Sequence, residues 1–363
     1  MRRVLATLTE QLGRKLPLSA VQISDAVRAL VSEGTAAELK ADFLCALAQK
    51  GETIEEIAAF AHELRALSLP VPLEAGNRAG EILDVCGTGG DRLNTFNIST
   101  SVAFVASAAG VTVAKHGNRA ITSQAGSADV LEALGICTDL DPVPAVRSLR
   151  EHGFAFFFAP KYHPAFQHIA PARKICAERG QRTIFNFLGP LLNPVRPSAQ
   201  LVGVPRADLC EPMARVLQML GVRRGMVVCG KIASNVESPT SKAGTAPACL
   251  DEFSTLGENC LAEFYQQRGF HLSTLAPEQF PVQRGSLQDL LGGDRAANAG
   301  IIKRILRGEE RGPKRDAVLL NSAAALFVAD CVHSLAEGWE LAASAIDSGR
   351  ALRKLNALAA AGR

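Results

Sequence analysis

The sequence predicts an α/β protein, with a small helical domain at the N-terminus and a larger α/β domain built on a mostly parallel central sheet. Three observations carry that prediction. The first seventy or so of the 363 residues repeat capped helical patterns. A stretch rich in Pro and Gly then breaks them. From residue 81, short apolar runs alternate with glycine loops and helical segments, in the strand, loop, helix, strand order of a parallel sheet.

Taken in order, Ser19 and Gln22 form a capping-box pattern ahead of Ile23, Ala26, Val27, Leu30 and Val31, whose spacing places them on one helical face. Thr53 and Glu56 repeat the device before Ile57, Phe60, Ala61 and Leu64. Pro70, Pro72, Gly76 and Gly80 mark the expected domain boundary, so the helical domain is assigned residues 1–75. Ile82, Leu83 and Val85 then read as a strand, Ser101 to Ala109 as a helix closed by Gly110, and Val111 to Val113 as the next strand. A helix around Ser127 to Leu134, an apolar run at Phe154 to Phe158, and strands at Leu201 to Val204 and Met226 to Cys229 continue the alternation. The C-terminal third reads as mostly helical, with Val318 to Val328 a buried helix. Lys231 to Ala248 is a polar interruption rich in Ser, Thr, Gly and Pro, expected to be a mobile loop.

Composition narrows the function. Hydrophobic residues at 47% and charged residues at 21% are those of a folded globular chain. No apolar stretch approaches the ~18 residues of a spanning helix, and the N-terminal segment lacks the apolar core and cleavage site of a signal peptide; a cytoplasmic protein without membrane contact is expected. Nine scattered cysteines with no C-x-x-C pair fit reduced thiols, so any metal should be held by oxygen. Basic residues (39) and acidic ones (36) are well mixed, which gives no nucleic-acid-binding tail, and the slight positive excess suits a small anionic substrate.

The chemistry concentrates in a few loops. Gly87-Thr88-Gly89-Gly90-Asp91 follows a predicted strand, where glycines let backbone N–H groups approach an anion, and Asn97-Ile98-Ser99-Thr100 adds donors where the next helix begins. On its own this is either a phosphate cradle or a tight turn capped by Ser99 or Thr100. Asp91 within the loop argues for a metal or a sugar hydroxyl nearby. Lys115-His116-Gly117-Asn118-Arg119 ends the following strand and should face the same crevice, unless it is an ordinary surface turn. Gly126-Ser127-Ala128-Asp129 again puts glycine and hydroxyl at a helix start. Asp251 and Glu252, expected on a solvent-accessible loop, are either simply solvated or the hard oxygen ligands that a magnesium-bound diphosphate needs. Of His163 and His168, at least one is read as structural, because no Ser or Cys nucleophile motif accompanies them.

These motifs, with P-K-Y-H at 160–163, R-T-I-F-N-x-L-G-P-L-L-N-P at 182–194, G-G-D at 292–294 and R-D-A-V-L-L-N at 315–321, occur in the order seen in the anthranilate phosphoribosyltransferase family, which the chain resembles over nearly its whole length. The resemblance implies transfer of the phosphoribosyl group of phosphoribosyl pyrophosphate to anthranilate in tryptophan biosynthesis, with Mg2+ required. It implies that Gly87, Gly90, Asp91, Thr95, Asn97, Ser99, Thr100, Lys115, Ser123 and Ser127 surround the phosphoribosyl pyrophosphate. Ser99, Asp251 and Glu252 would hold magnesium, and Gly87, Asn118 and Arg173 would contact anthranilate, with His116 and Tyr162 close by. It also implies a nucleoside phosphorylase/phosphoribosyltransferase-type fold and a homodimer formed through the helical domain. Residues of about 165–192 would return to that domain, leaving 76–164 and 193–363 as the α/β domain.

The chain departs from the family pattern in three places. Cys229-Gly230 and a long insertion stand where His-Gly is usually followed closely by the acid pair; about three extra residues lie between Arg173 and Arg182; and Gln124-Ala125 replace a more usual Lys-Ser. The second departure leaves open which of Arg173, Arg179 and Arg182 meets the anthranilate carboxylate. A pyrimidine nucleoside phosphorylase would share the glycine loop and strand-end lysine but have less use for Asp251 and Glu252. A non-catalytic nucleic-acid-binding paralogue predicts erosion of Asp91, Asn118 and the acid pair, all of which are present.

Overall fold

The computed structural model describes residues 2–73, 80–120, 124–233, 248–265 and 269–362. The Pro/Gly-rich boundary around Gly76, Ser123, and nearly all of the 231–248 insertion therefore lie outside the described residues.

Four helices open the chain: α1 (Arg2–Gly13), α2 (Ala20–Val31), α3 (Ala37–Lys50) and α4 (Ile54–Ala66). Both predicted capping boxes form. The Ser19 hydroxyl accepts from Gln22 N at 3.3 Å while the Gln22 side chain accepts from Ser19 N at 2.9 Å, and Thr53 and Glu56 do the same at 3.2 and 2.8 Å. Such caps satisfy N–H groups the helix leaves open and contribute about 1 kcal/mol each. Glu56 is buried and also accepts from Leu18 N at 2.8 Å and Lys50 Nζ at 2.6 Å, tying α4 to the preceding turns.

The sheet is built from β1 (Ile82–Gly87), β2 (Thr112–Gly117), β3 (Phe154–Phe158), β4 (Ala199–Gly203), β5 (Arg224–Lys231), β6 (Cys249–Leu250), β7 (Asn259–Tyr265) and β8 (Gly269–Leu275). Its order is β3-β2-β1-β4-β5-β7-β8, with β6 paired to β5. The strands from β3 to β5 are parallel, and β6, β7 and β8 add antiparallel pairs at one side. The helices between them are α5 (Ile98–Ala108), α6 (Ser127–Ala133), α7 (Pro142–His152), α8 (Ala159–Tyr162), α9 (Ala170–Glu178), α10 (Phe185–Leu188) and α11 (Cys210–Met219). After β8 come α12 (Leu287–Leu290), α13 (Arg295–Leu306), α14 (Pro313–Val328), α15 (Leu335–Asp347) and α16 (Arg350–Ala361).

Three cores cover the sheet's faces, the smallest where Ala114, Ala155 and Phe157 pack with α7. Val85, Leu201, Met226 and Val228 pack on one side with α5 and α13 to α16. Val202, Val227, Ala262 and Phe264 pack on the other with α11 and, continuously, with the N-terminal helices and α9. The alternation of sides along β4 and β5 is the period-2 pattern of a strand buried on both faces. Helix α9 lies on α3: Cys176 and Cys45 sulfurs are 3.6 Å apart, and Arg179 pairs with Asp42 at 2.7 Å. The pair β7 and β8 does not follow from the sequence pattern, because β8 is an edge strand with most side chains exposed and carries no apolar alternation to mark it. Among the described residues no helix is long and apolar enough to cross a membrane.

Candidate active site

In an open parallel sheet, ligands collect at the carboxyl ends of strands where the strand order reverses, here between β1 and β4. The glycine loop leaves β1 at that point, and Thr88 N donates to the Gly203 carbonyl at the end of β4 at 3.0 Å. Asp91 Oδ1 accepts from Leu93 N at 3.1 Å, folding the loop back toward α5. That helix starts at Ile98, earlier than Ser101, so Ser99 sits in its first turn among N–H groups that favour an anion. Neither Ser99 nor Thr100 is its cap: Asn97 holds that position, without a side-chain cap bond.

Lys115 is fully buried at the end of β2 and spans the crevice floor, donating to the Val85 carbonyl at 2.7 Å and the Ser99 hydroxyl at 3.2 Å. Beneath it Asp84, also fully buried, accepts from His116 N at 3.3 Å and Asn193 Nδ2 at 2.9 Å. Burial raises the Asp84 carboxyl to about 6 against the opposing pull of Lys115.

Asp251 and Glu252 are not on a solvent-accessible loop, as expected from sequence; they are 7% and 8% exposed. The segment after β6 crosses the ends of β1, β4 and β5, and three strand-end glycines make room for it. A Cβ at Gly87 would lie 2.6 Å from Asp251 Oδ2, one at Gly203 would lie 1.5 Å from the Asp251 carbonyl oxygen, and one at Gly230 would lie 2.5 Å from the Glu252 carbonyl oxygen. The Asp251 carboxylate accepts from Gly89 N, joining the acid pair to the glycine loop. Burial, then the charges of Asp91 and Glu252, drive the Asp251 carboxyl well up from its ordinary value. Burial raises Glu252 to about 8 although Lys115 and Ser99 N favour its charged form. Three carboxylates are thus drawn together with less positive charge than they need, which fits a divalent cation. Among the described residues no three Asp, Glu, His or Cys groups form a cage for an ion by themselves. The donor set therefore suits a cation shared with an anionic ligand.

A second cluster lies on the helical side. His116 and His163 meet edge to face at 5.4 Å, His163 stacks on Phe166 at 5.2 Å, Phe166 meets Phe185 at 5.7 Å, and the Arg173 guanidinium lies over Phe185 at 5.2 Å. A cluster of aromatic rings, meeting face to face and edge to face, beside a half-buried guanidinium suits an aromatic carboxylate. Arg179 is instead committed to Asp42, and Arg182 is exposed. Arg173 lies within α9, and the chain turns at Arg179 and Gly180 before it reaches Arg182.

Other expected site residues fall as follows. Gly90 lies against Pro205, and Thr95 is half-buried and bridges to Leu291. Asn97 Oδ1 accepts from Asn298 Nδ2 at 2.9 Å, which ties the loop to the start of α13. Ser127 Oγ approaches the Asn118 carbonyl at 3.4 Å, which brings the loops Lys115–Arg119 and Gly126–Asp129 together. Thr100 is fully buried in the first turn of α5, its hydroxyl without a hydrogen-bond partner among the described residues. Tyr162 packs apart from the His116 cluster. Its ring packs on Phe157 and its hydroxyl donates to the Leu140 carbonyl at 3.0 Å, in a separate small core. The next residue, His163, faces His116 instead. His163, Phe166, Asp84 and Gly203 were not assigned to the ligand site from sequence; His163 stands in P-K-Y-H without a stated ligand role, and Phe166, Asp84 and Gly203 carry no motif that brings them together.

With this geometry in place, relatives can be compared. Residues 79–352 match the glycosyl transferase family a/b domain, and residues 6–68 its helical bundle domain. Anthranilate phosphoribosyltransferase from Geobacter sp. is 42% identical over 99% of this chain and 98% of its own length, and that from Petrotoga mobilis is 46% identical over 86% and 84%. The chain belongs to the anthranilate phosphoribosyltransferase family. Among solved structures, the family's enzyme from Thermus thermophilus superposes with a TM-score of 0.83 at 38% identity, covering 98% of both chains. The Saccharomyces cerevisiae enzyme in complex with phosphoribosyl pyrophosphate and Mg superposes with a TM-score of 0.83 at 27% identity, covering 98% of this chain and 97% of that one.

Proposed function

We infer that this chain transfers the phosphoribosyl group of phosphoribosyl pyrophosphate to the amine of anthranilate, releasing pyrophosphate. One observation carries this most directly: the buried acid pair Asp251–Glu252 lies against the glycine loop at the strand ends, beside Lys115 and the first turn of α5. That is a place for a diphosphate with its counter-ion, which phosphorolysis by a nucleoside phosphorylase does not require. Ser99, Asp251 and Glu252 would hold magnesium, with Asp91 near them, and magnesium when bound would neutralise charge on the departing pyrophosphate.

The protein's own residues do the rest. Breaking the glycosidic bond leaves an electron-poor ribose and a highly charged leaving group, so the demand is electrostatic and positional. Lys115, the glycine-loop N–H groups and the start of α5 supply positive potential. Gly87 and Asn118 border the acceptor side, where Arg173 orients anthranilate through its carboxylate while His116, Phe166 and Phe185 hold the ring. The aromatic amine is a nucleophile as it stands, which accounts for the lack of a strong base.

Residues 1–75 with about 165–192 act as the helical domain, and 76–164 with 193–363 as the α/β domain. The chain works as a cytoplasmic homodimer joined through the helical domain, with no nucleic-acid partner. The test of the activity is product stoichiometry: one pyrophosphate and one N-(5-phosphoribosyl)anthranilate per anthranilate consumed, seen by mass spectrometry. Phosphorolysis of uridine with inorganic phosphate, and no reaction with anthranilate, would overturn it.

A further inference from the structure

The run Gly189-Pro190-Leu191-Leu192-Asn193 is held residue by residue. His116 hydrogen-bonds the Gly189 backbone, Gln200 Nε2 donates to the Pro190 carbonyl at 3.0 Å, Arg65 Nε donates to the Leu191 carbonyl, and His163 Nε2 donates to the Leu192 carbonyl at 2.8 Å. Asn193 Nδ2 donates to Asp84 at 2.9 Å and to the Ala114 carbonyl at 2.7 Å. Four of these five grips come from the sheet or from the aromatic cluster. Arg65, at the end of α4, is the one that comes from the N-terminal helices.

Arg65 is unusual in its own right. It is 5% exposed, its Nη2 is buried without a hydrogen-bond partner, and among the described residues no carboxylate pairs with it. A buried guanidinium without an ion partner is costly and is kept only where its geometry is needed. We propose that Arg65 is a positioning residue for the acceptor substrate: by holding the Leu191 carbonyl it fixes the segment on which His116 and His163 are seated. The proposal rests on the reading of anthranilate as acceptor.

The tautomers show what is being positioned. His163 donates through Nε2, so its Nδ1 carries a bare lone pair; His116 Nε2 is likewise buried without a partner. Both lone pairs suit an N–H donor such as an aromatic amine. Burial pushes His116 down to about 3 and His163 to about 4, and the Arg65 charge adds to both effects. The other charged or titratable groups acting on His116 are Lys115, Asp84, whose carboxylate meets its backbone N–H, and His163 itself.

The experiment compares full-length wild type with Arg65→Met and Arg65→Lys. Arg65→Met should raise KM for anthranilate at least tenfold, leave KM for phosphoribosyl pyrophosphate within threefold, and move the acid limb of kcat/KM for anthranilate to higher pH. Arg65→Lys, which keeps the charge, should restore the acid limb more than the KM. Equal effects on both substrates, or no effect in a variant that melts cooperatively, would overturn the proposal. If Arg65→Met fails to fold, Arg65→Lys alone decides by the same split of KM values. Deuterium exchange at the imidazole Cε1–H of His116 and His163 needs no substrate: a midpoint higher in folded Arg65→Met than in wild type, with Arg65→Lys close to wild type, supports the proposal even if anthranilate proves not to be the acceptor, and an unchanged midpoint in Arg65→Met contradicts it.

Discussion

Gly87 and Asp251 occupy each other's space: a Cβ on Gly87 would lie 2.6 Å from one Asp251 carboxylate oxygen and 2.8 Å from the Asp251 carbonyl oxygen. The glycine is required by the acid, not only by a phosphate. Gly87→Ala should therefore displace the acid pair and cut kcat at least tenfold, and the magnesium concentration needed for half-maximal rate should rise. Gly203→Ala meets the Asp251 carbonyl at 1.5 Å, backbone against strand end, and should destabilise the fold by ~3 kcal/mol or more, the upper range of overpacking. Kinetics against magnesium and urea denaturation separate the two effects.

The acid pair should make stability fall with rising pH in the absence of magnesium. Glu252 is raised to about 8 in the folded chain, so between its ordinary carboxyl range and pH 8 the folded state holds a proton that the unfolded state has lost. Stability then declines as pH rises, by up to about 1.4 kcal/mol per pH unit for one such proton. Asp251, shifted in the same direction, adds to this. Magnesium pyrophosphate should consequently raise the melting temperature more at pH 8 than at pH 5.5. The double variant Asp251→Asn, Glu252→Gln should melt no lower than wild type at pH 8 without magnesium while losing turnover. A sharply lower melting temperature would mean that the charges are balanced within the protein.

The histidines act in the opposite direction. His163 is lowered to about 4 from an ordinary value near 6.5, so below pH 6.5 the unfolded chain binds a proton that the folded chain refuses. Its contribution is fully present above that pH and is lost as pH falls toward 4. His163→Gln, which can still donate to the Leu192 carbonyl, should flatten the loss of unfolding free energy between pH 6.5 and 5 by up to about 1.4 kcal/mol per pH unit. Denaturant titrations at the two pH values check this, and parallel slopes for variant and wild type would contradict it.

The two arginines on and after α9 should separate cleanly. Arg173→Ala removes a guanidinium that can form a charge-assisted bond to a carboxylate, worth ~1.5–3 kcal/mol, and should raise KM for anthranilate roughly ten- to hundredfold. Arg179→Ala breaks an exposed pair with Asp42, worth ~0.2–1 kcal/mol of stability, and should leave that KM unchanged. Steady-state kinetics with anthranilate varied distinguish them.

What the sequence made legible was local. Ser19–Gln22 and Thr53–Glu56 announce their helices because a capping box is complete within four residues. The glycine loop and the lysine at the end of β2 were legible because β1 and β2 are short apolar runs with motifs attached. The burial of Asp251 and Glu252 was not, since it depends on glycines from three strands, one of them, Gly87, far away in the sequence. Which of Tyr162 and His163 meets His116 was not legible, because adjacent residues at the end of a single helical turn face different clusters and nothing in P-K-Y-H tells them apart. The hairpin of β7 and β8 escaped notice because an exposed edge strand leaves no hydrophobic period to read.

Anthranilate fluorescence, followed after mixing the full-length protein with phosphoribosyl pyrophosphate and magnesium, tests the central claim most directly. It should decay to completion with wild type, stop when magnesium is chelated, and persist unchanged with the Asp251→Asn, Glu252→Gln variant. Undiminished fluorescence with wild type at high enzyme concentration would contradict the proposed activity, and decay that continues in the double variant would contradict the role given to the acid pair.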